Sequence, residues 1–90
     1  MNKIGFIRYI LAPQQISEKF RKAEIVIVTD EQYPQTLKFE LHNDKCDLLN
    51  GTFQNQKVNI AFDLRGKEYT APDGKLSVFN TLLAWQITPV

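Results

Sequence analysis

Between Lys57 and Arg65 the chain alternates without a break. Val58, Ile60, Phe62 and Leu64 lie on one parity, and Lys57, Asn59, Ala61, Asp63 and Arg65 on the other. Alternation with period two is the mark of a strand with one face toward a core and one toward water. This pattern predicts a strand over residues 56–67 with Val58, Ile60, Phe62 and Leu64 inward. A lone strand cannot satisfy its edges or cover its apolar face, so the rest of the chain must supply a sheet or a barrel.

The remaining segments supply strands. Ile4 to Leu11 is apolar on both parities, with Ile4, Phe6 and Ile10 on one and Ile7, Tyr9 and Leu11 on the other. A strand buried on both sides, or coiled around a barrel, has this character. Ala12 to Glu18 reads as a polar connector containing Pro13. Phe20 to Thr29 is a second strand rich in β-branched residues, and Asp30 to Gln35, with Pro34, is a turn. Thr36 to His42 is a third strand. Its inward residues are Leu37, Phe39 and Leu41, so Lys38, Glu40 and His42 face outward. Glu68 to Lys75 is a loop with Pro72 and the turn pair Asp73-Gly74, and Leu76 to Ile87 is the fifth strand.

Only one stretch reads as a helix. Asn43 is suited to cap it, Asp44 sits where the helix dipole favours an acid, Leu48 and Leu49 form an apolar side, and Gly51 is placed to end it. The order is therefore three strands, a short helix and two strands. This is the order of the all-β OB-fold, a five-stranded Greek-key barrel with its helix between strands 3 and 4. A small SH3-like barrel leaves the helix unexplained.

With 90 residues, residues 1–90 are expected to make one domain with a small core and an open working surface rather than a deep pocket. No apolar run reaches the roughly 20 residues that span a bilayer. Arg8 interrupts the apolar N-terminal stretch, which reads as a strand rather than a leader. The lone Cys46 has no partner for an internal disulfide, which fits a cytoplasmic location. A net charge of +1 is low for a binder of duplex DNA, but it leaves room for single-strand binding, where stacking shares the affinity.

The chemistry-bearing groups are sparse. His42, Asp44, Cys46 and Asp47 lie close in sequence, but a zinc site needs three or four ligands, commonly paired Cys or His, and a capped helix with a half-buried cysteine explains them more simply. Neither a metal nor a cofactor is expected. His42 ends a strand and Cys46 lies in a helix, so no nucleophile–base geometry follows. The isolated glycines form no phosphate loop, and the acids alternate with Lys and Arg as on a solvated barrel exterior. No enzyme is expected.

The best functional signal is the interleaving of basic and aromatic residues. Lys19, Phe20, Arg21 and Lys22 open the second strand, and Arg65, Lys67, Tyr69 and Lys75 surround the loop between strands four and five. Single-strand binders join a positive groove to aromatic platforms, and in an OB-fold these two regions border the ligand face. The candidate nucleic-acid-binding residues are Phe20, Arg21, Lys22, Lys38, Arg65, Lys67, Tyr69 and Lys75. The plainer alternative is that they are ordinary solvated residues, with Phe20 capping the barrel. Phe79 and Trp85 share a parity on the last strand and read as packing or subunit-contact residues.

The stretches TDEQYPQTLKFEL (29–41) and RGKEYTAPDGKLSVFNTLLAW (65–85) resemble a family of small proteins from Bacteroides-group bacteria and their phages. The resemblance is carried by the Glu31-Gln32-Tyr33-Pro34 turn, the Phe79-Asn80-Thr81 triplet and the Ala84-Trp85 pair. It implies an OB-fold and single-stranded-DNA-binding-like character. A looser similarity to bacterial single-stranded-DNA-binding proteins covers the helix and the last two strands, although Leu83 stands where that family often has a basic residue. Two functions follow as expectations: a sequence-tolerant module for single-stranded nucleic acid, DNA first, or a protein-interaction or assembly module on the same barrel. In either case open strand edges predict a homo-oligomer.

Overall fold

The computed structural model describes residues 1–90. Five strands, β1 (Asn2–Ser17), β2 (Phe20–Thr29), β3 (Thr36–His42), β4 (Lys57–Thr70) and β5 (Leu76–Pro89), close into a barrel of order β1-β2-β3-β5-β4. Neighbours pair antiparallel except β3 and β5, whose single parallel pair, Glu40 with Leu83, completes the ring. A parallel pair needs a crossover. Here the short helix Asn43–Leu49 and β4 supply it. The β2–β3 turn is held by Thr29, whose backbone N–H donates to the Gln35 carbonyl at 2.9 Å and whose hydroxyl accepts the Gln35 N–H at 2.8 Å.

The core is the inward parity of each strand. Ile7, Ile25, Ile27, Phe39, Leu41, Val58 and Ile60 are fully buried, and Phe62 and Ala84 nearly so. The Phe39 and Phe62 rings meet edge to face with centroids 5.0 Å apart, the arrangement favoured by the ring quadrupole. The helix closes the barrel with Cys46 and Leu49. The Cys46 thiol donates to the Leu41 carbonyl at 3.3 Å, as a small buried hydrophobe with a weak donor would.

Several sequence expectations are corrected. Residues 12–17 are not a connector: β1 runs on to Ser17. The ladder with β2 is irregular between Leu11 and Gln14, so the missing N–H of Pro13 falls at a break in the pairing. The loop after β4 is also shorter than expected, because the strand reaches Thr70 and the turn closes with the Ala71 N–H on the Lys75 carbonyl at 2.8 Å. The helix is of the tighter 3-10 type and has no side-chain cap. Asn43 instead adopts a positive φ of 52° and its side-chain oxygen accepts the Arg21 N–H at 3.0 Å. Gly51 does take the left-handed conformation, at φ 82°, as the chain leaves the helix.

The fourth strand carries a further correction. Leu64 is 56% exposed and Ala61 is buried. The register of β4 on β5 shifts between Ala61 and Phe62. Beyond this point the two strands stay paired; β4 is exposed from Asp63 to Thr70, while β5 keeps partial cover at Thr81, Leu82 and Leu83, and the hairpin projects from the barrel over Leu76 to Asn80. Residues 11–19 of the β1–β2 hairpin are exposed in the same way, and partial cover begins at Phe20. These two arms explain a radius of gyration of 14.5 Å, against about 12 Å for a compact chain of this length. No helix is long and apolar enough to cross a membrane.

Candidate nucleic-acid interface

The outward faces of β2 and β3 lie between the two arms. On β3 the outward residues are Lys38, Glu40 and His42, as the alternation predicts, and they stand opposite Val26, Glu24 and Lys22 of β2. The β4–β5 arm presents a second row to the same space. Directly opposed residues of an antiparallel pair share a face. Arg65 opposes Thr81, Lys67 opposes Phe79 and Tyr69 opposes Ser77. Two cations and two aromatic rings therefore line one side of the arm.

Where the arm meets β3, the surface folds into a groove of about 350 Å³. Arg65, Gly66 and Lys67 of β4 form one wall, Phe79, Thr81 and Leu83 of β5 another, and Glu40 and His42 of β3 the floor. Phe79 is 61% exposed, which removes the packing half of its reading as a packing or subunit-contact residue. The Glu40 carboxylate pairs with His42 Nε2 at 2.9 Å, and His42 meets the Phe20 ring edge-on at 4.9 Å.

The structure brings together Arg65, Lys67 and Tyr69 on the arm. Phe20 and Lys22 do not line the groove but neighbour His42 of its floor, the former by ring contact and the latter as its cross-strand partner. Lys75 stands at the arm's tip, in the turn where its N–H bonds the Asp73 carboxylate at 3.0 Å. Two candidates are engaged elsewhere. The Arg21 guanidinium donates to the Asn43 carbonyl at 3.0 Å and to Asp47 at 3.3 Å, tying the helix to β2. Arg21 lines a separate polar cleft of about 470 Å³ with Lys19 and Asp44. Lys38 lies 3.2 Å from Glu24. Arg65 is turned toward Asp63 at 3.6 Å, an exposed pair that a phosphate displaces at little cost.

Sequence reasoning missed Phe79, Glu40 and His42 as site residues. A signal for Phe79 was present. A short turn at Asp73-Gly74 fixes the register of the strands around it, and counting outward from that turn sets Phe79 beside Lys67. No group of three His, Cys, Asp or Glu side chains is gathered closely enough to hold a metal ion.

A closed five-stranded barrel with a helix between the third and fourth strands, and an outer face flanked by two hairpin arms, defines an OB-fold. The chain belongs to the family described as domain of unknown function DUF3127, whose model matches residues 3–88. Among solved structures it is similar to the mitochondrial single-stranded DNA binding protein of S. cerevisiae. The TM-score is 0.77 at 15% identity, covering all of this chain and 92% of that one. A selenomethionine-labelled structure of the same yeast protein gives a TM-score of 0.74 at the same identity and coverage. Among curated proteins no sequence matches. At this identity the likeness carries the fold alone.

Proposed function

We propose that the groove and the β4–β5 arm hold single-stranded nucleic acid, DNA first, without enzymatic chemistry and with broad sequence tolerance. The observation that carries this reading is the exposed Phe79 residue, directly opposite Lys67 and diagonal to Arg65 on one face of a projecting hairpin. An apolar ring held in water on a rigid strand is a stacking platform, and the flanking cations take the phosphates of the same strand. Tyr69 extends the row outward by one further ring. The likeness in fold to the yeast mitochondrial protein supports the same reading. It is tested by titrating a fluorescent oligothymidine with micromolar protein at low and at moderate salt. Saturable binding that weakens with salt is expected, and no binding at low salt refutes the reading.

The same barrel also supports self-association. Past Phe6, the β1 edge turned away from β2 has no strand ladder. That segment exposes Tyr9, Leu11 and Ile16 at 50%, 43% and 53%. An open edge carrying apolar side chains pairs readily with a second copy. Light scattering is expected to give at least a dimer, and a monomer at high concentration refutes this.

A further inference from the structure

We propose that the groove floor reads a base, and that Glu40 makes it favour a base with adjacent amino and imino donors, guanine above all. The inference rests on the reading of the groove as a single-strand site and adds a preference at one position of the bound strand.

Glu40 is the one acid among the groove's lining residues, which otherwise include Arg65 and Lys67. A carboxylate there is unfavourable for phosphate, so the backbone of a bound strand lies along the Arg65–Lys67 wall and a base points toward β3. The carboxylate is held in place. Its Oε1 is paired with His42 at 2.9 Å, and His42 is packed against Phe20. Glu24, directly opposite on β2, has its own cation in Lys38. The side chain of Glu40 is 22% exposed and Leu83 lies beside it in the β3–β5 pair. A hydrogen bond to a base is therefore formed against apolar surface, where it is stronger than in open water. The groove's 350 Å³ is at the low end of the range for small-molecule pockets, roughly 300–1,000 Å³. That is a fit for one base stacked on Phe79, not for a length of strand.

The four bases then separate by their edges. Guanine offers N1–H and the N2 amino group side by side, two parallel donors that match the two oxygens of a carboxylate. Cytosine and adenine offer one amino group, as cytosine does to Asp or Glu in direct readout. Thymine offers an imino N–H between two carbonyl oxygens, which face the carboxylate unfavourably.

The experiment compares oligothymidine with the same oligomer carrying a single central guanine, at one salt concentration, for wild type and Glu40→Gln. Wild type is expected to bind the guanine oligomer about five-fold or more tighter, the low end of a bidentate base contact. Glutamine has the same size with only one acceptor, so the ratio between the two oligomers is expected to collapse. Equal binding of the two oligomers by wild type overturns the inference and leaves the single-strand reading standing. A guanine preference that survives in a Glu40→Gln variant with native circular dichroism overturns the role of Glu40. No binding of either oligomer overturns the single-strand reading itself.

Discussion

Replacing Phe79 with alanine and replacing Arg65 and Lys67 together with alanine damage the same groove through different physics. Phe79 is exposed and lies outside the core cluster, so its removal leaves the barrel intact and, on the proposed reading, deletes one stacking platform. The expected loss is about 1–3 kcal/mol of binding free energy. Stacking releases no counterions, so this loss is the same at every salt concentration. On the proposed reading Arg65 and Lys67 each neutralise a phosphate, and their joint removal lowers the steepness of the single-strand salt dependence by about 1.4. Across a roughly four-fold rise in salt, the penalty of the double variant therefore shrinks by about seven-fold. Fluorescence anisotropy with oligothymidine over a salt series reads both effects, with circular dichroism confirming that each variant is folded. Parallel salt lines for all three proteins refute the assignment of Arg65 and Lys67 to phosphates. A Phe79→Ala variant that binds like wild type removes the ring from the interface.

Three further outcomes follow from the fold and its surface. Phe62→Asp places a charge among Phe39, Ile60 and Ala84 with no partner and is expected to unfold the domain; native circular dichroism and melting temperature would overturn the inward placement of Phe62. A Cβ on Gly5 would meet the Val28 carbonyl oxygen at 2.6 Å and Thr29 Cα at 3.1 Å, so Gly5→Ala is expected to cost about 1–3 kcal/mol as β1 and β2 move apart, read by chemical denaturation. The side-chain hydrogen bond from Lys3, reinforced by its charge and by a hydrogen bond from Thr29, holds the Glu31 carboxyl below the ordinary carboxylate range. A group lowered in this way stabilises the fold above its unfolded pKa and loses that contribution as pH falls through its folded pKa. Lys3→Met should therefore raise the Glu31 titration midpoint seen by NMR, and any stability gap from wild type should close in acid; an unmoved midpoint refutes the pairing.

Much of the barrel was legible in the one-dimensional pattern. The alternation placed β2 and β3 at the bounds the structure shows, with Leu37, Phe39 and Leu41 turned inward. The order of strands and the single helix were enough for the OB-fold, since few ways of closing five short strands accommodate a helix at that point. The two basic and aromatic clusters are local in the sequence, but only Arg65 and Lys67 of the second line the groove, and the groove itself was not legible. It depends on Glu40 and His42 from a strand remote in sequence, and on the lone Glu40–Leu83 pair that brings β3 against β5.

The failures share one cause. Alternation says which residues lie on the same side of a strand, but not whether anything covers that side. Phe62 and Leu64 follow the same parity, yet one is buried against Phe39 and the other is open to water, because the barrel's circumference ends between them and the hairpin continues alone. Phe79 was read as a packing or subunit-contact residue for the same reason, and the chain order does not reveal that the helix end lies beside Arg21. The number and order of the strands, and the parity that turns inward wherever a strand meets the core, follow from the pleat and from the need to bury apolar side chains. Where the strands outrun the barrel is set by contacts between segments remote in the chain, and that leaves an apolar parity open to water on the β4–β5 hairpin.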